Sequence, residues 1–229
     1  MRRVRAFSLI ELLVIVVIIG IFSMLALPAI GHSIKQAKKT RDLHHIKESG
    51  MVLQQHSYDN NGKYLTTDVD GNQAKTSVQI FNHLKSRGYL DNAAVAGCSG
   101  FSSGNASAVL TESAVGWSYV AGMSFTTVES RPLLFSRFAF ETLDDMSNET
   151  PINAEKNPWK HEAVFIYHTA GNAALEKPDQ NMVISEVVRS AYPASAFLLH
   201  PTETKTQTTA AIMYSNHFMM DFSFLLVGP

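Results

Sequence analysis

A single carboxylate, Glu11, lies inside the most apolar stretch of the chain. Residues 7–30 comprise 24 positions, of which 16 are Leu, Ile, Val or Phe and one is charged. The apolar side chains favour insertion into hydrocarbon by roughly 7 kcal/mol, and an acid near one end opposes it by less than about 3 kcal/mol. The segment therefore tolerates Glu11 without explaining it.

The other polar side chains give weaker signals for catalysis. His161 and Glu162 begin an HExxH motif, but Phe165 occupies the position of the second histidine, so the zinc pair is missing. His44 and His45 are adjacent and cannot share one helix face, and we interpret them as solvated helix residues. The sequence contains no nucleophile elbow, Walker loop, CxxC pair or dinucleotide-binding fingerprint. The pattern predicts no enzyme active site.

Two turn-forming segments, "DNNG" and "DVDGN", carry oxygen ligands that would suit calcium. Their candidate ligands are Asp59, Asn61, Asp68 and Asp70. Neither segment has the spacing of an EF-hand loop. We favour ordinary turns in which Asp and Asn cap the backbone, with calcium as the alternative. No other cofactor or metal is expected.

Two further residues, Cys98 and His168, have side chains that can be reactive. Cys98 is the one cysteine, so no internal disulfide can form. It lies in "GCSGFSSG", which predicts an exposed loop and a small residue without a catalytic role. His168 in "IYHTAG" is expected at a strand edge or a turn.

Three interpretations of the amino-terminal segment follow from its charges and length. A secretory signal peptide would be cleaved after "AIG", before His32, but the apolar run is long and contains an acid. A plain signal anchor would let Glu11 reach the headgroups. Basic residues flank the segment on both sides, so the positive-inside rule alone leaves the orientation open. They are Arg2, Arg3 and Arg5 before it, and Lys35, Lys38, Lys39 and Arg41 after it.

The third interpretation is a family resemblance. The stretch "AFSLIELLVIVVIIGIFSMLALPAI" resembles the class III signal of type IV pilins and of type II secretion pseudopilins. In that family a short basic leader ends in a small residue, the mature chain starts with Phe, and its fifth residue is Glu. Ala6, Phe7 and Glu11 occupy those positions here, and Gly20 and Pro28 also match. The family usually has Gly before the cleavage site, where this chain has Ala6.

The resemblance implies a role for each of these residues. A prepilin peptidase cleaves between Ala6 and Phe7 on the cytoplasmic face, and the new amine of Phe7 is N-methylated. Glu11 meets the terminal amine of a neighbouring subunit and fixes the assembly register. Gly20 and Pro28 mark a helical segment that can stretch as subunits pack.

The resemblance and the hydrophobic periodicity together predict an α+β fold. A long N-terminal helix, half transmembrane and half amphipathic, packs on a C-terminal antiparallel sheet of four to six strands. The expected segments are a leader (1–6), a transmembrane helix segment (7–30), an amphipathic continuation of the helix (31–58) and a globular head (59–229). Apolar residues three and four apart, Leu43, Ile46, Gly50 and Leu53, define the face that should cover the head, and Gly62 should end the helix in a left-handed turn.

Within the head, "YDNNGKYLTT" and "FNHLKSRGYLD" resemble the major pseudopilin of type II secretion. The spacing predicts a second helix over 76–87, with Val78, Phe81, Leu84 and Ile80 facing the core. Short apolar or alternating runs predict strands within 115–122, 132–140, 163–171, 181–188 and 219–227. The segments 97–107 and 146–158 are expected to be loops.

The function implied is that of a structural, non-enzymatic filament subunit in a type II secretion or type IV pilus-like system. It would be a single-pass inner-membrane protein, with a cytoplasmic N-terminus and a head outside the cytoplasm, before entering a periplasmic or surface filament. Its partners would be other pilin-like subunits, the prepilin peptidase, an inner-membrane assembly platform and membrane lipid. The net charge of −1 falls to −4 without the leader arginines, so no nucleic-acid binding is expected. The alternative is a membrane-anchored exported enzyme or ligand-binding domain with a non-cleaved signal anchor.

Overall fold

The computed structural model describes residues 8–101, 109–125, 130–143, 151–184, 192–193 and 195–202. The chain divides into two compact units, Met1–Arg41 and Asp42–Pro229. The architecture is α+β, as predicted. In chain order the elements are α1 (Leu9–Asp59), α2 (Ser77–Ser86), a 3₁₀ turn (Ala93–Ala96), β1 (Trp117–Ala121), β2 (Pro132–Ser136), β3 (Val164–His168), β4 (Ala173–Glu176) and β5 (Phe197–Leu199).

Helix α1 is a continuous helix of 51 residues that ends where the sequence predicts. The amide of Gly62 donates to the carbonyl of Ser57 (2.8 Å), and Gly62 has φ 74°. Asn60 also caps the helix, because its side-chain amide donates to the carbonyl of His56 (2.8 Å). The left-handed turn predicted at Gly62 is therefore confirmed.

Helix α2 has complete caps at both ends, which fixes its length. At the start, the Thr76 hydroxyl accepts from the amide of Gln79, and the Gln79 side chain accepts from the amide of Thr76. At the end, Gly88 has φ 78° and the amide of Tyr89 donates to the carbonyl of Leu84 (2.9 Å), which is the bond of a Schellman motif. The four residues predicted to face the core are buried: Val78, Ile80, Phe81 and Leu84.

The five strands form one antiparallel sheet in the order β4-β3-β2-β1-β5. All residues of β1 and β2 are buried, so both faces of the sheet centre are covered. A register shift between Pro132 and Leu134 lies at the start of β2, a position where a proline without an amide hydrogen is tolerated. Three of the predicted strand segments contain β1, β2 and β3, and the antiparallel sheet is confirmed.

The predicted strand at 181–188 is wrong over its described part, 181–184, which forms a turn. The carboxylate of Asp179 accepts from the amides of Asn181 and Val183, both at 2.8 Å. These bonds close an Asx turn, so the amides of Asn181 and Val183 are not available for hydrogen bonds to a neighbouring strand. Residues 185–188 and the predicted strand at 219–227 lie outside the described residues.

Cys98 is buried rather than exposed, which corrects the sequence-based expectation. Its side chain is 5% exposed, and its thiol donates to the carbonyl of Gly116 (3.7 Å). A Cβ at Gly116 would lie 2.5 Å from the sulfur of Cys98, so the absent side chain at Gly116 makes room for the cysteine. His45 is also not simply solvated, because its Nδ1 donates to the carbonyl of Gly97 (3.0 Å).

Candidate functional site

The first turn of α1 contains the carboxylate that the sequence singles out. The carbonyl of Ser8 accepts from the amides of Glu11 (3.1 Å) and Leu12 (3.2 Å), which starts the helix. Glu11 is exposed in this first turn, where an acid interacts favourably with the helix dipole. Ala6 and Phe7 lie outside the described residues. The carboxylate is thus accessible to a partner from outside the chain.

The amino-terminal part of α1 exposes an unusually large apolar surface. Among the side chains that the structure describes between Leu9 and Ile34, sixteen large apolar ones are exposed, from 42% at Ile15 to 81% at Leu9. A helix that is apolar all round is normally buried, and monomeric soluble proteins rarely expose apolar patches of this size. None of the residues that the structure describes covers this surface.

Among the described residues, no helix combines the length and the apolarity of a membrane span.

Gly20 and Pro28 both lie within the continuous helix α1. A Cβ at Gly20 would meet no atom within 4 Å, so packing within the described chain does not require glycine there. Pro28 has no amide hydrogen and cannot donate to the carbonyl one turn earlier. The hydroxyl of Ser23 donates to the carbonyl of Ile19 (2.8 Å), a local bond that often accompanies bending of a helix. These are features of a helix with weakened internal hydrogen bonding.

Comparison with known families assigns this segment. Residues 1–27 match the family model described as the prokaryotic N-terminal methylation motif. The chain carries a prepilin-type signal. Ala6, Phe7, Glu11 and Gly20 fall within the matched residues, and Pro28 follows directly. No curated protein and no solved structure gives a significant match to the chain.

Within the unit Asp42–Pro229, the last part of α1 packs on the sheet. A Cβ at Gly50 would overlap the ring of Tyr167 on β3. The Tyr167 hydroxyl donates to the Gln54 side chain (2.8 Å), whose amide donates to the carbonyl of Thr169 (2.8 Å). Helix and strand are thus held in one register by close contact and by two hydrogen bonds.

Asp42 forms a second attachment that sequence reasoning missed. Its side chain is fully buried, and one carboxylate oxygen accepts from the indole of Trp159 (2.9 Å) and from the amide of Ser99 (2.8 Å). The helical spacing could have indicated this burial, because Asp42 precedes Ile46 by four residues and so lies on the apolar stripe of α1. A charged residue at such a position indicates specific buried partners.

The calcium candidates serve as turn residues in the described structure. One carboxylate oxygen of Asp68 accepts from the amides of Asp70 (3.0 Å) and Asn72 (2.9 Å). Asp59 accepts from the hydroxyl of Tyr89 (2.8 Å), and Asn61 has φ 56°. Within the described ranges, no three His, Cys, Asp or Glu residues come together in a way that could hold a metal ion.

Ser118 and His200 resemble a nucleophile and its base. The Ser118 hydroxyl lies 2.9 Å from Nδ1 of His200, and Nε2 donates to the carbonyl of Glu141 (3.0 Å). Both side chains are buried, at 1% and 0% exposure, and the ring of Phe138 stacks on the imidazole at 4.5 Å. A substrate has no access to this pair, so we interpret it as part of the core.

Three histidines of the unit Asp42–Pro229, two buried and one half-buried, favour the neutral form in the folded protein. Burial lowers the pKa of His200 and of His168. Burial also lowers the pKa of His56, and the neighbouring His83 lowers it further. Nδ1 of His168 and Nδ1 of His56 are buried and lack a hydrogen-bond partner among the described residues. Protonation of these rings therefore opposes folding.

Proposed function

We propose that this chain is a structural, non-enzymatic subunit of a pilin-like filament, processed between Ala6 and Phe7 and assembled through its amino-terminal helix. Before assembly it is anchored in the inner membrane, with its head outside the cytoplasm. Its partners are other pilin-like subunits, the prepilin peptidase and an inner-membrane assembly platform. Among such machines, "DNNGKYLTT" and "RGYLD" favour a type II secretion pseudopilin over a type IV pilus subunit.

One observation carries the proposal: the methylation motif spans residues 1–27 and contains most of an apolar surface, between Leu9 and Ile34, that no described residue covers. A processing signal alone would suit any exported protein. A helix that is apolar on all sides suits lipid before assembly and the centre of a filament afterwards.

Electrostatics gives Glu11 its role in assembly. Cleavage leaves a primary amine on Phe7, and its N-methylation gives a secondary amine that still carries a proton, four residues before the exposed carboxylate. Each charge alone opposes burial in hydrocarbon by about 3 kcal/mol at the centre of a helix, and a pair is far less unfavourable. The carboxylate of one subunit can therefore meet the amine of another only in the correct stagger. A subunit out of step leaves both charges unpaired.

The experiment compares Glu11→Gln with Glu48→Gln. Both changes remove one negative charge from exposed positions of α1, and glutamine keeps the side-chain shape. In cells with the peptidase and the assembly machinery, Glu11→Gln should be processed and retained in the membrane but should form few filaments. Glu48→Gln should assemble like wild type. Wild-type assembly by Glu11→Gln would refute the pairing.

A further inference from the structure

A compact group of cations follows the apolar surface of α1. Residues 12–41 contain no acid, and their four basic residues all lie in the last seven positions: Lys35, Lys38, Lys39 and Arg41. All four belong to helix α1 and to the unit Met1–Arg41. Lys35, Lys38 and Arg41 are exposed, and Lys39 is partly exposed. An exposed apolar cylinder thus ends in a collar of positive charge.

The lysines of this collar start at the outer edge of a lipid headgroup layer or beyond it. At about 1.5 Å per residue, Lys35 lies about 7.5 Å beyond Ile30 along the helix axis, and Lys39 about 13.5 Å beyond it. A headgroup layer is roughly 5–8 Å thick. Cα–Cβ bonds in a helix tilt toward its N-terminus, so the long lysine side chains start in the direction of the apolar segment. Their ammonium groups can therefore reach phosphate depth.

The location of the collar on the translocated side of the membrane also indicates that its positive charge has a function. In the proposed orientation these cations cross the membrane, against the bias that keeps Lys and Arg on the cytoplasmic side. The leader arginines that would balance them are removed by processing. At the outer surface of the inner membrane, anionic headgroups attract exposed cations such as these.

We propose that Lys35, Lys38 and Lys39, together with Arg41, bind anionic phospholipid headgroups on the head side of the membrane. This inference rests on the proposed membrane anchoring of α1. The contact holds the unassembled subunit at a fixed depth, with Ile30 at the edge of the hydrocarbon. It also gives the subunit a local shell of anionic lipid, which it must release on entering a filament.

The test uses the full processed chain in phosphatidylcholine bilayers with trace spin-labelled lipid. The measured quantity is the ratio of association of spin-labelled phosphatidylglycerol to spin-labelled phosphatidylcholine. Wild type should prefer phosphatidylglycerol, and added salt should weaken this preference. Because one lysine near an anionic surface contributes about a fivefold preference at most, Lys35→Gln, Lys38→Gln and Lys39→Gln combined should bring the ratio close to one.

A matched variant removes three exposed lysines of the other unit, by Lys63→Gln, Lys75→Gln and Lys177→Gln. It should keep the wild-type ratio. The inference is overturned if the collar variant keeps the wild-type ratio, or if the matched variant loses as much. It is also overturned if the collar variant loses filament assembly while its lipid preference stays intact, since the cations would then serve a contact between copies. Failure of the proposed anchoring is recognised separately, because the wild-type chain would then be removed from membranes by an alkaline carbonate wash.

Discussion

Two glycines on the same helix should respond differently to the same substitution by alanine. Gly20 and Gly50 both lie within α1, and alanine improves helix propensity by about 1 kcal/mol at either position. A Cβ at Gly20 meets no atom within 4 Å, whereas a Cβ at Gly50 overlaps three ring atoms of Tyr167. That ring is fully buried and hydrogen-bonded to Gln54, so it has no free direction in which to move.

The magnitude follows from these two opposing terms. Overpacking a core by one methyl group costs about 1–3 kcal/mol, and the rigid surroundings at Gly50 place it near the upper end. After subtracting the propensity gain, Gly50→Ala should destabilise the head by about 2 kcal/mol. For a protein of this size that is a fall in Tm of about 4–8 °C. Gly20→Ala should leave the Tm of the head unchanged.

The assay is thermal unfolding of the full chain in detergent micelles, followed by tryptophan fluorescence. Both tryptophans, Trp117 and Trp159, are buried in the head and report on its unfolding. In a Tyr167→Leu background, Gly50→Ala should cost less, because the overlapping ring is gone. The reasoning is refuted if Gly50→Ala raises the Tm, or if its effect is the same with and without the ring.

Three further predictions concern polar side chains of the unit Asp42–Pro229. The pKa values of His56, His168 and His200 are lowered in the folded state, so the unfolded state binds more protons below about pH 6.5. The free energy of unfolding should therefore fall as the pH drops from 8 to 5. Urea titrations that give equal or greater stability at pH 5 would contradict this. Asp42→Ala leaves an indole and an amide without their acceptor and should lower the free energy of unfolding by about 2–4 kcal/mol, with a neutral result arguing against the buried attachment. The thiol of Cys98 should react with a maleimide far more slowly in native protein than in denaturant, and equal rates would show that the cysteine is exposed.

Local sequence patterns predicted much of the fold because local bonds determine those parts. The end of α1 depends on Gly62 and α2 depends on the Thr76–Gln79 capping box, and each lies within a few residues of the structure it fixes. Strands β1 to β3 have long apolar runs because both faces of the sheet centre are buried. Their hydrophobicity is a signal that needs no knowledge of the partner strand.

The remaining features depend on residues far apart in the chain, which no local pattern can specify. Trp159 donates to a carboxylate 117 positions away, and Gly50 is small because a ring on β3 approaches it. Strand β4 is a short edge strand, Ala-Ala-Leu-Glu, whose residues are mostly half-buried, so it lacks the apolar run that marks the central strands. At the candidate site, the sequence alone identifies Glu11 as an unusual charge, because its neighbours along the helix are apolar.

The most direct test of the central claim is the intact mass of the chain extracted from membranes of cells that contain an active prepilin peptidase. The account predicts a chain that begins at Phe7 and is heavier than the unmodified sequence by one methyl group, with fragmentation placing that methyl on the terminal amine. A chain that retains Arg2, Arg3 and Arg5, or one that begins at His32, would contradict it.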